Sequence, residues 1–197
     1  MTGFSRHFAL ILIIMKIEDR DFGFKDLKKN IKQLGSKSVD VGIFGSDALK
    51  IANRETGITM ARLAYIHEYG TSYIAKHDLV FTLVNRSGEQ KTIIIPKGHK
   101  VTIPPRSFLR SAFADNTGKI TQKVDRMLDK MIINGNSSIT PLLDNLGEFM
   151  KGLVIKRIAT GQFKPLSELQ IWFKQSEKPL VDTGDLVRSI KYRIGKK

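Results

Sequence analysis

The sequence predicts an α+β fold, an antiparallel β-sheet of about four to five strands with helices packed mainly on one face. Three observations lead there. Segments 79–84, 92–95 and 101–103 are rich in β-branched and aromatic residues and are separated by turn-rich clusters, the pattern of consecutive antiparallel strands. Segments before and after them repeat apolar residues every three to four positions, the period of a helix with one buried face. The run 99–113, HKVTIPPRSFLRSAF, joins both periods in a single stretch.

That run organises the chain. Val101 and Ile103 alternate with Lys100 and Thr102 as in a half-buried strand. Pro104 and Pro105 end the ladder, because neither has an N–H to donate. Pro105 also holds Pro104 extended. Phe108, Leu109, Ala112 and Phe113 then recur at helical spacing, so a helix starts near Arg106 or Ser107. The sequence therefore predicts a rigid strand-to-helix corner with Arg106 projecting at the bend.

Residues 1–23 read as an N-terminal extension and 24–197 as a single α+β domain with an irregular insertion at about 161–179. The apolar run 8–15, FALILIIM, is too short to span a bilayer, which takes about 20 residues. Residues 15–18, MKIE, stand where a signal peptide would carry small residues. The run reads as a buried or docking segment, or as an over-long start with Met15 the true first residue.

An amphipathic helix is expected over about 25–34, with Leu27, Ile31 and Leu34 on one face and Gly35 as its stop. Residues 38–45 read as a strand, with Val39, Val41 and Ile43 facing one way. Gly42 and Gly45 form a GxxG, a weak match to a nucleic-acid clamp that belongs between two helices rather than at a strand end. Residues 47–59 read as a loop or short helical turn, and 60–69 as a helix ended by Gly70. The hairpin 79–95 turns at Asn85–Glu89, and Lys97-Gly98 turns again into 101–103, which makes a three-stranded meander. The strand near 39–44 is available as a fourth. A long helix is expected over 106–133 with a break at 116–118, then a loop at 134–138. Thr140 reads as the cap of a further helix, with Pro141 at its first position. In the last stretch, Asp182 reads as a cap, Asp185 as its capping partner, and 189–194 as a closing strand.

Composition excludes several classes. The chain has 41% hydrophobic residues and no cysteine. It can bury a core, and disulfides and thiolate metal sites are impossible. Net charge is +14 with a pI near 10, which favours an acidic partner. The charge is diffuse: residues 1–118 hold 18 Lys/Arg against 11 Asp/Glu, and 119–197 hold 15 against 8, +7 each. No basic arm stands out.

Catalytic motifs fail on inspection. His67-Glu68 opens an HExxH zinc motif, but Thr71 occupies the second histidine position. Gly118-Lys119 lacks the upstream glycine of a phosphate loop. Leu180-Val181-Asp182-Thr183-Gly184 imitates an aspartic protease loop, whose chemistry needs two aspartates sharing a proton. One copy is present, so such an enzyme would have to be a dimer, and the helical reading of 186–190 leaves no room for the remaining strands. We expect no enzyme, no cofactor, no metal and no small-molecule substrate.

Three stretches in order carry a family resemblance: IHEYGT at 66–71, IPPRSFL at 103–109 and LVDTGDLVRSI at 180–190. Together they resemble the tail-completion and neck proteins of tailed bacteriophages, including the Mu-like virion morphogenesis group. Those proteins show an "hE(F/Y)Gt" segment, an "iPaRpFL" corner and a late "LvdTGxLxxSi". Ser107 departs from the family's usual proline. The resemblance implies a β-sheet backed by helices, similar to tail-terminator and neck folds. It implies a homo-oligomeric ring, hexamer favoured, that helps join tail to DNA-filled head. Its partners would be itself, the neighbouring connector and tail proteins and, in passing, double-stranded DNA, with no membrane. Its location would be the virion, after assembly in the bacterial cytoplasm. The motif residues it singles out are Glu68, Gly70, Pro104, Pro105, Arg106, Phe108, Leu109, Asp182, Thr183 and Gly184. Of these, Arg106, Phe108 and Leu109 are expected at a subunit interface or at the sheet–helix corner. A tail terminator or minor tail protein is the alternative role, and a basic nucleic-acid-binding protein outside the virion a second.

Overall fold

In the computed structural model, residues 24–53, 56–133 and 138–196 are described. The expected extension over 1–23, the Met15 start and most of the 134–138 loop lie outside them. Sixteen elements follow in chain order among the described residues. They are α1 (Phe24–Gly35), β1 (Lys37–Gly42), α2 (Gly45–Leu49), β2 (Ile51–Asn53), β3 (Ile58–Thr59), α3 (Met60–Tyr69), β4 (Thr71–Ile74) and β5 (Leu79–Val84). Then come β6 (Gln90–Ile95), β7 (Lys100–Ile103), α4 (Leu109–Ala114), α5 (Thr117–Ile133), α6 (Ile139–Thr160), α7 (Glu168–Lys174), α8 (Asp185–Ser189) and β8 (Lys191–Lys196). Helix and strand are thus mixed as the α+β reading has it.

The strands pair differently from the expected single sheet. They form four antiparallel two-stranded sheets, β1–β8, β2–β3, β4–β7 and β5–β6. The meander is in fact a long ribbon. Thr71 faces Ile103 and Ile74 faces Lys100 in one ladder, while Leu79 faces Ile95 and Val84 faces Gln90 in the other. Both ladders share one register, interrupted at 75–78 and 96–99. Pro96 has no N–H to extend β6, and Gly98, at φ +84°, turns the chain. The break is tied by Ala75 N–H to His99 O at 3.0 Å and Lys97 N–H to Asp78 Oδ1 at 2.7 Å. β7 therefore returns to β4, not to β6. The sequence reading missed β4, because all four of its residues are exposed and show no alternation.

The central scaffold is α6. Its C-terminal half supplies Val154 and Ile158 to the main core, alongside Met60, Ala64, Phe108, Ala112, Leu180, Leu186 and Ile190. Its N-terminal half supplies Ile139 and Leu143 to a smaller core with Met131, flanked by Leu27, Val39 and Ile194. The β1–β8 sheet lies across α6. Close approach depends on Gly147: a Cβ there would stand 2.2 Å from Tyr192 Cδ2. Tyr192 Oη in turn donates to Asp144 Oδ1 at 3.2 Å.

Two capping expectations change. Ser138, not Thr140, is the N-cap of α6 and makes no side-chain cap bond, which leaves Pro141 inside the first turn. The stretch expected to be irregular at 161–179 contains α7, closed by a capping box in which Ser167 and Gln170 exchange bonds at 3.3 Å.

Gly147→Ala should destabilise the fold by about 1–3 kcal/mol through overpacking against Tyr192. Gly152→Ala on the same helix, where a Cβ meets nothing within 4 Å, should stabilise it by about 0.5–1 kcal/mol. Urea unfolding of the two variants measures both, and equal effects would contradict the Gly147–Tyr192 contact.

Candidate functional site

Helix α3 starts on Thr59, whose hydroxyl accepts from Arg62 N–H at 3.3 Å. It ends on Gly70 at φ +73°, where a Cβ would lie 2.8 Å from both Ile103 O and Pro105 N. The sharp, side-chain-free exit lets β7 and the Pro104-Pro105 corner cross the end of α3. Arg106 N–H then donates to His67 O at 2.6 Å. Two distant stretches are locked together by backbone.

Glu68 completes the lock. Its residue is 4% exposed, yet its carboxylate is held by five donors from the corner. Ser107 Oγ–H donates to Oε1 at 2.6 Å, Arg110 N–H and Nε–H to Oε1 at 3.0 Å each, and Phe108 and Leu109 N–H to Oε2 at 2.9 Å each. These amides open α4, which has no side-chain cap from its own N-cap residue, Phe108. Glu68 is thus an N-cap delivered from about 40 residues away. A carboxylate suits that end, where unpaired N–H groups and the helix dipole are positive. Burial pushes the carboxyl upward, but the bonds from Ser107 and the amides of Leu109, Arg110 and Phe108 outweigh it and hold it below its ordinary range. Arg110 also stacks over the Tyr69 ring at 4.5 Å.

Arg106 does not project. It is 2% exposed and turns inward, donating from Nε to Lys164 O at 3.0 Å and from Nη2 to Pro165 O at 3.1 Å. The carbonyls of the segment entering α7 accept two of the guanidinium's five N–H groups and draw it off the surface. Phe108 is fully buried and Leu109 packs on the main core. Arg106 and Phe108 therefore belong to the corner and its core. Pro104 is half-buried and Pro105 exposed.

Behind the corner is a cleft of about 280 Å³. His67, Arg106, Lys174, Asp182, Thr183 and Gly184 are among its lining residues, so the first and third motif stretches meet there. Burial, then Arg106, then Lys174 lower the His67 imidazole to about 4, and its buried Nδ1 has no hydrogen-bond partner among the described residues. Lys174 Nζ donates to Lys178 O at 3.1 Å and Val181 O at 3.0 Å.

Asp182 does not cap α8. It pairs with Arg86 at the hairpin tip, and Gly184, at φ +80°, is the N-cap. The turn is closed instead by Asp185, bonded to Thr183 Oγ1–H and, at 2.8 Å, to Arg188. Those bonds, Thr183 first, pull the Asp185 carboxyl down to about 2. Asp182 thus faces a guanidinium. Among the described residues no three His, Asp or Glu side chains gather as a metal site, and no helix is long and apolar enough to cross a membrane. Sequence reasoning missed Ser107, Arg110 and Lys174 as partners. Ser107 was visible only as a departure from the resembled motif, and its hydroxyl is what reaches Glu68. No protein-family model matches the chain, and neither a curated protein nor a solved structure does.

Glu68→Ala should cost about 1–3 kcal/mol, because it strands buried donors of the corner while Arg110 stays in solvent. Glu68→Gln keeps the shape and removes the charge. The folded carboxyl lies below its unfolded value, so its contribution is present above about pH 4.5 and is lost as pH falls through the folded value. The stability gap between wild type and Glu68→Gln should therefore close on acidification. A gap constant from pH 7 to pH 3 in denaturant titrations would refute the assignment.

Proposed function

We propose that this chain is a ring-forming structural protein of a tailed-phage virion, acting at the neck to help join the completed tail to the DNA-filled head. One observation carries the reading. The three stretches that resemble the neck family are distant in sequence but fold into one unit. Phe108 and Leu109 of the second stretch and Leu180, Leu186 and Ile190 of the third meet in the main core, against Met60 and Ala64 of α3, the helix that runs into the first. The Glu68 carboxylate and the Arg106 N–H to His67 O bond join the first stretch to the second. A motif set whose residues build a scaffold is what supports an assembly role.

The ribbon supports the self-association part. It is fastened at its base by Gly70 and Pro105 and at its tip by Arg86 to Asp182 and by Gln175 to Ser87 Oγ at 2.7 Å. Between those points the cross-strand pair Val80 and Ile94 is 65% and 66% exposed, with Val84 beside it at 49%. A two-stranded sheet with an uncovered apolar face is marginal alone. Sheet edges left unpaired are templates for another chain. In this reading the ribbon face is the contact between subunits, six per ring. Tail terminator or minor tail protein remains the alternative role. The net charge of +14 is the observation that favours contact with DNA, inside the virion or outside it.

Val80→Asn with Ile94→Asn should leave the circular dichroism spectrum unchanged and convert rings to monomers in analytical ultracentrifugation. A wild-type chain that stays monomeric at high concentration refutes ring formation. An early stop codon in the gene should yield filled heads lying apart from tails in electron micrographs of the lysate. Overlong or unfinished tails would move the protein to termination, and normal infectious virions would overturn the virion role. DNA contact should weaken linearly with log salt; binding that ignores salt removes it.

A further inference from the structure

The cleft behind the corner is lined by two cations, Arg106 and Lys174, and by two carboxylates, Asp182 and Asp185, that form their ion pairs with other residues. We propose that it is a binding site for a single oxyanion group, a phosphate or a carboxylate, seated between Arg106, Lys174 and His67. Arg106 is buried, and both its bonds go to backbone carbonyls. Among the described residues it has no ion pair with a carboxylate. Lys174 also bonds two carbonyls and keeps a third N–H. His67 Nδ1 is buried without a partner. Carbonyls orient a cation but do not neutralise it, and an unanswered buried charge is costly.

The carboxylates at the rim are already engaged. Asp182 pairs with Arg86, and Asp185 with Arg188 and Lys50. Glu68 follows His67 in the chain but points into the corner. Burial first, then Arg106 and Lys174, lowers His67, while burial lowers Lys174 with Asp182 opposing and Arg86 and Arg106 adding. An anion between them reverses the sign of that interaction. Met60, Leu166 and Leu180 on the walls lower the local dielectric and strengthen it. One oxyanion can come from two sources, free phosphate or the acidic side chain of a neighbouring protein copy. The site does not depend on ring formation.

The test follows the His67 imidazole by NMR in the full chain at constant ionic strength in chloride. Inorganic phosphate, or acetate as the carboxylate probe, should raise its pKa from about 4 by about one unit or more. Since the bound state takes up a proton there, affinity should rise as pH falls from 7 towards the bound pKa. Lys174→Gln keeps a donor for the carbonyls without the charge and should weaken phosphate binding about tenfold, the equivalent of about 1.4 kcal/mol. If that variant unfolds, the wild-type titration decides alone. A His67 pKa indifferent to added anions but rising with protein concentration, as copies associate, identifies a neighbour's carboxylate as the occupant. A pKa that moves with neither overturns the proposal.

Discussion

The fold depends on one buried carboxylate. Taking Glu68 out of water costs several kcal/mol, and five donors from 107–110 make that burial stable. Those donors exist in the right place only because α4 begins there and leaves its first amides unpaired. They reach Glu68 only because the chain turns at Gly70 without a side chain in the way. The Pro-Pro corner supplies the angle. Each part is poor without the others, which is what makes the corner cooperative.

From that corner the remaining order follows. Phe108, placed between the carboxylate and α6, is the fully buried aromatic of the main core. Arg106, two residues earlier, fastens the segment that enters α7. Helix α7 in turn holds the 178–181 loop through Lys174. The chain then closes through α8 into β8, which returns to β1 over α6. The third motif stretch is therefore tied to the corner through buried Arg106, half-buried Lys174 and a shared core.

Those same cations set the electrostatic character of the cleft. On the surface, charges of both signs pair locally and contribute little. Inside the cleft, Arg106 and Lys174 meet carbonyls rather than carboxylates. A net charge spread evenly along the chain is thus not spread evenly in space. The distinction matters for a protein read as part of an assembly, because neighbouring copies respond to local fields rather than to the sum.

What the sequence by itself determined is what short-range physics controls. Helix α3 and its Gly70 stop, the hairpin about Asn85–Glu89, and the break between α4 and α5 are all written in residues within one or two turns of each other. The mixed α+β class follows from the same periodicities. Only the tertiary structure decided the pairings. β7 joins β4 rather than β6, and β8 crosses the length of the chain to β1. Neither is legible locally, since exposed strands such as Thr71–Ile74 carry no alternation. Glu68, Gly70, the prolines and Phe108 could be marked in one dimension, but their roles could not. Glu68 is a cap for a helix that begins about 40 residues later, and Arg106 is inside because carbonyls from 164–165 come to meet it. Hydrogen bonding at that sequence separation depends on where the chain has been brought, and spacing holds no record of it.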